Sequence, residues 1–158
     1  MFLNRWLLVF DRYECQGMVD TIMSDYCNQM INYLKLSQAY RQRSMLPDRH
    51  RALLLAAVQA QLSGFRTIAE FCKKQILQTN PGHLLRKFSN MAEALEDTDF
   101  EYFADQLRKK IPPDKVELLL TNLGYCSELN RSDYNSDYEF AAAIVGVDAQ
   151  WIDQNFGE

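Results

Sequence analysis

Apolar positions recur along almost the whole chain at helical spacing. After Val19, the residues Met23, Tyr26, Met30, Tyr33, Ser37 and Tyr40 follow at alternating steps of four and three. That is a seam of period 3.5, widened by a second row of Ile22, Cys27, Ile31 and Leu34. The pattern predicts a helix over 17–43 that stops before Pro47, because the residue preceding a proline is pushed out of the helical region. Asp48 is placed to cap a second helix. There Leu54, Val58, Leu62, Phe65, Ala69, Cys72 and Ile76 trace one face. Gly64 inside that run is unfavourable by about 1 kcal/mol relative to alanine, and is read as a point of close helix approach. Two such helices joined by Ser44-Met45-Leu46-Pro47 predict a long antiparallel hairpin over about 17–79.

Asn80-Pro81-Gly82 breaks the periodicity. Pro81 suits the first turn of a further helix, where its missing N–H is not needed, with Leu84, Phe88, Met91 and Leu95 on its apolar face. Thr98 and Glu101 have capping-box spacing ahead of Phe100, Phe103, Leu107 and Ile111. Pro112-Pro113 ends that helix and begins one carrying Val116, Leu119, Leu120 and Leu123, with Gly124 at its C-terminal cap. These middle helices occupy about 81–123. A polar loop follows, and two short helices are expected over 138–145 and 149–156 with Gly146 between them. The expected fold class is all-α: a helical bundle in one domain spanning 1–158, with the shorter helices packed against the hairpin. Glycine and proline, at 6 and 4 of 158 residues, are too sparse for a turn-rich β fold.

The first ten residues, MFLNRWLLVF, are apolar, but Asp11, Arg12 and Glu14 end the run before it reaches the length of a signal peptide or a membrane span. They read as the start of a buried helix. Four cysteines at 15, 27, 72 and 126 form no closely spaced pair, which predicts free thiols and a cytoplasmic location.

Charge changes the picture more than composition does. The net charge of −4 is not spread evenly. Lys35 to Met91 hold ten Lys/Arg and two acids, a local net of +8, whereas Val116 to Glu158 hold one Arg and eight acids, a net of −7. The basic stretch places Arg41, Arg43, Arg49, His50 and Arg51 around the turn of the hairpin. Arg66, Lys73 and Lys74 lie along its second limb, and His83, Arg86 and Lys87 in the first turns after Pro81. These eleven residues are the candidate partner- or anion-binding set. The acidic C-terminal region is expected to fold back and mask part of it, so that truncation after Gly124 would raise affinity for polyanions.

No catalytic residue, cofactor or metal is assigned. Phosphate-binding and nucleophile-elbow motifs are absent from the sequence. Asp133, Asn135 and Asp137 open like a calcium loop, but Tyr138 and Ile144 stand where such a loop needs glycine and glutamate. Ala142, Gly146 and Ile152 have the spacing of a helix-turn-helix, yet the second helix carries Asp148 and Asp153 and no cation for phosphates. It reads as a structural pair. The function expected from the sequence is that of a small interaction or adaptor protein, using its basic face and helical grooves to engage a protein partner. A nucleic-acid-binding accessory protein is the alternative, and a small enzyme acting on an anionic substrate the third reading. The Tyr/Met seam also offers a surface for self-association.

Overall fold

The structure, a computed structural model, describes residues 16–157. The apolar run over 1–10 and Cys15 lie outside the described residues. Of the described chain 77% is helical and none is strand, so the fold is an all-α bundle. The first helix, α1 (Gln16–Gln42), agrees with the periodicity to within a residue at each end. Its seam is buried at Met30, Tyr33, Ser37 and Tyr40, half-buried at Tyr26, and exposed at Met23. The helix therefore enters the core only in its second half.

The second limb of the hairpin is not one helix. It is α2 (Leu46–Leu62) and α3 (Arg66–Thr79), separated by Ser63-Gly64-Phe65. Gly64 adopts φ +83, and the Phe65 and Gly64 N–H groups donate to Ala60 O (2.8 Å) and Gln61 O (3.2 Å). That is a Schellman cap, which turns the chain where a continuous stripe predicted none. A Cβ on Gly64 would meet no atom within 4 Å, so the glycine serves the left-handed turn and not a close helix approach. The same cap, on Ser44 at φ +57, ends α1.

Helix α2 also begins earlier than expected. Leu46 and Pro47 form its first turn, Met45 is its N-cap without a side-chain bond, and the Asp48 carboxylate instead pairs with Arg51 at 2.9 Å. Proline is tolerated there because the first-turn N–H groups have no intrahelical acceptor.

After α3, the expected helix from Pro81 is replaced by a turn, a 3-10 segment (Leu84–Lys87) and a short α4 (Met91–Glu96). The side chains cut it into pieces. His83 caps the 3-10 turn, Asn90 caps α4, and the Glu70 carboxylate accepts the Met91 N–H at 2.6 Å. Helix α5 (Thr98–Lys110) is capped by Asp97, not Thr98, through a 2.8 Å bond from Phe100 N. A 3-10 turn at Pro113–Lys115 leads into α6 (Val116–Asn122), and α7 (Asp137–Ile144) and α8 (Ala149–Phe156) complete the chain.

At the centre lies α2, with every residue from Ala52 to Ala60 buried. It packs against α1, α3, α4 and α5. The Tyr33 hydroxyl crosses to donate to Ile111 O at 2.7 Å, tying α1 to the end of α5, and burial raises its pKa to about 12.

The acidic C-terminal pair does fold onto the hairpin: α7 packs on α1 and α3, and α8 on α3. The joints named by geometry are aromatic. Lys35 Nζ lies 5.6 Å over Phe140 and Lys74 Nζ 5.3 Å over Phe156. Phe71 meets Trp151 and Phe156 edge-on. Thr67, Tyr138 and Asp153 form a relay in which the phenol donates to the carboxylate at 2.6 Å and accepts from the threonine at 2.8 Å. Ala142 and Ile152 are buried and Gly146 adopts φ +79, so the helix-turn-helix spacing is used to pack the pair on the bundle.

Candidate functional site at the basic end of the bundle

The end of the molecule where α1 stops and α2 begins gathers part of the candidate set into two neighbouring clefts. The first, about 210 Å³, is lined by Tyr40, Arg41, Ser44, Met45, Leu46 and Arg49. The second, about 290 Å³, lies between α2, α3 and α5 and is lined by Pro47, His50, Arg51, Leu54, Asn80, His83, Phe103, Leu107 and Lys110. No residue of α7 or α8 lines either cleft. The masking expected from the acidic region therefore falls on α1 and α3 and leaves this end uncovered by the C-terminal pair.

In the first cleft the Ser44 turn pushes Met45 and Leu46 outward, and they are 38% and 41% exposed. Arg49 is half-buried beside them. Burial, and the charge of Arg41, act against its own charge. One guanidinium nitrogen reaches Gln75 Oε1 at 3.4 Å, while its buried Nε–H has no acceptor among the described residues.

In the second cleft both histidine rings are hydrogen-bonded. The Thr79 hydroxyl lies 2.5 Å from His50 Nε2 and within 3.2 and 3.3 Å of Gln75 O and Ile76 O, so it holds the ring against the end of α3. His83 Nδ1 accepts the Leu85 N–H at 3.2 Å, which places the proton of the neutral ring on Nε2. Burial, then a neighbouring positive charge, lowers the pKa of each: Arg49 acts on His50, and His50 on His83. In an unfolded chain a histidine titrates near 6.5. The folded protein binds these two protons less readily, so their contribution to stability is complete above about pH 6.5 and is lost as pH falls towards the lower folded values. Thermal stability is expected to drop between about pH 7.5 and pH 5.5. A His50→Gln, His83→Asn double variant should flatten that slope. An unaltered slope in the variant would assign the effect to other groups.

The remaining candidates separate. Arg43 donates to Leu123 O at 2.8 Å and caps α6. Lys73 is buried and donates to Phe88 O at 2.6 Å, holding the 3-10 segment against α3. Lys74 lines a different, shallower cleft with Glu70 and Phe156. Arg66, Arg86 and Lys87 are exposed and line neither cleft at the basic end. Two carboxylates of the calcium-like stretch are engaged locally: Asp137 pairs with Arg131 at 2.7 Å, and Glu139 accepts from Asn135 N at 3.1 Å. Among the described residues no three His, Cys, Asp or Glu side chains come together as metal ligands. Cys27, Cys72 and Cys126 are free thiols, and burial lifts Cys72 to about 12. No described helix is long and apolar enough to cross a membrane.

Sequence reasoning missed Lys110, Asn80, Phe103 and Leu107, because nothing local links them to a turn some thirty to sixty residues earlier. Met45 and Leu46 carried a readable signal: two large apolar residues inside an expected polar turn. No protein-family model matches this sequence, and no curated protein or solved structure matches it.

Proposed function

We propose that this is a small helical interaction protein whose basic end binds an acidic segment of a partner protein, with an apolar side chain of that segment seated on Met45 and Leu46 and its carboxylates facing Arg41 and Arg49. The observation that carries this reading is the exposed Met45–Leu46 pair, which lines one cleft together with Arg41 and Arg49. Methionine and arginine are enriched where proteins meet, and an apolar anchor ringed by charge supplies both affinity and orientation. Complementary charge adds rate and selectivity.

The test uses two peptides that differ only in sign, one alternating leucines with paired glutamates and the other with paired lysines. The acidic peptide is expected to bind the full chain, and a Leu46→Asp substitution to weaken it about tenfold or more, as loss of an anchor worth about 1.4 kcal/mol would. Leu46 is exposed, so the substitution leaves the core intact. Equal binding of both peptides, or indifference to Leu46→Asp, would refute the reading. Nucleic acid remains the alternative, and it has its own signature: binding of a single-stranded oligonucleotide that collapses between low and physiological salt and ignores Leu46.

A further inference from the structure

We propose that the cleft between α2, α3 and α5 is a binding site for a small organic monoanion, a carboxylate carried on an apolar body. It uses residues outside the Met45–Leu46 groove and stands whether or not that groove has a partner.

The lining divides into a floor and a rim. Leu54 and Leu107 are buried and Phe103 half-buried, giving an apolar floor where a ligand's hydrocarbon body would leave water. The rim carries Arg51, Lys110, His50, His83 and the Asn80 amide, and among the described residues no carboxylate lines the cleft. Asp48 occupies one nitrogen of Arg51, Nη1 at 2.9 Å, and a guanidinium has further donors in its fork. Because Nδ1 of His83 is committed to Leu85 N–H, the neutral ring offers its Nε2–H as a donor. The rim is thus rich in donors and positive charge, above a floor that discriminates in favour of apolar matter. Few polar groups converging over an apolar surface is the ordinary make-up of a small-molecule site, and about 290 Å³ sits at the small end of such sites.

The helix ends limit the charge of the ligand. Asn80 is the C-cap of α3 and Lys110 the last residue of α5, so two carbonyl ends approach the cleft, against one N-terminus from α2. Two negative dipole ends disfavour a dianion and leave a single carboxylate, held by Lys110 and Arg51, as the better match.

The experiment follows the histidine ring resonances of the full chain by NMR while phenylacetate, 3-phenylpropionate or hexanoate is added. At least one carboxylate is expected to shift His50 and His83 saturably, with a Kd in the millimolar range or below. Its alcohol counterpart, which keeps the body and loses the charge, should bind about tenfold more weakly, the equivalent of one charge-assisted contact. Lys110→Gln should lose about tenfold in affinity while the chain keeps its cooperative thermal transition, since Lys110 is exposed, Lys110→Glu should lose at least as much, and Lys110→Arg should retain binding. The assignment is overturned if no carboxylate gives a saturable shift up to about 20 mM. It also falls if the alcohol binds equally well, if Lys110→Gln binds unchanged, or if inorganic phosphate displaces the carboxylate at equal concentration. Loss of acidic-peptide binding in Leu46→Asp leaves this outcome untouched, so the two sites fail separately.

Discussion

Phe140→Ala is expected to destabilise the protein by about 3–5 kcal/mol, the range for emptying a buried aromatic site. Phe140 is 3% exposed, stacks obliquely on Tyr134 with ring centres 5.4 Å apart, and lies beneath Lys35. Its neighbours Ala141, Ala142, Ile144 and Val145 are buried as well, and Ile152 follows from α8. The C-terminal helices are therefore part of the core and not a removable mask. Truncation after Gly124, which treats the acidic region as a detachable cover, should leave a chain without a cooperative unfolding transition. Urea denaturation followed by circular dichroism reads both results. A loss below about 1 kcal/mol for Phe140→Ala would show that α7 is peripheral, and would restore truncation as a clean probe of the basic end.

The second large effect belongs to the central helix. Leu53 is 1% exposed within a helix buried on all sides over nine residues, and Leu53→Ala should cost about 2–5 kcal/mol. Leu62, on the apolar face traced through Gly64, is only half-buried at the last turn of α2. Leu62→Ala should cost about 1–2 kcal/mol, since the site is already partly hydrated and little cavity remains. The pair measured under identical denaturant conditions tests whether α2 ends at Leu62. Equal losses would indicate that the helix and its buried face continue past Gly64.

This difference shows where local pattern stops being informative. The stripe from Leu54 to Ile76 is compatible with one long helix because it records which side chains must leave water, not whether the axis bends between them. Gly64 was visible in the sequence, but a glycine within an apolar stripe has two physical readings, close approach and left-handed cap. Only the positions of Ala60 O and Gln61 O select the second. Asp48 shows the same limit, since a carboxylate near a helix start caps it or pairs with the next turn according to where the proline sits.

By itself the sequence determined the class of fold, the span of α1, the end of α5 at Pro112, the Gly124 cap and both C-terminal helices, because each rests on contacts within a few residues: a repeating apolar face, a missing N–H, a glycine free to turn left. It also determined that charge is divided along the chain. The tertiary structure decided what the charges do. Lys73 and Arg43 became props for carbonyls of other elements, Lys35 and Lys74 were laid on aromatic rings of the acidic helices, and Arg41, Arg49 and Arg51 were left at an end that α7 and α8 do not cover. Those fates depend on which elements meet, and so on packing between residues fifteen to more than a hundred positions apart, which no periodicity along a single helix encodes.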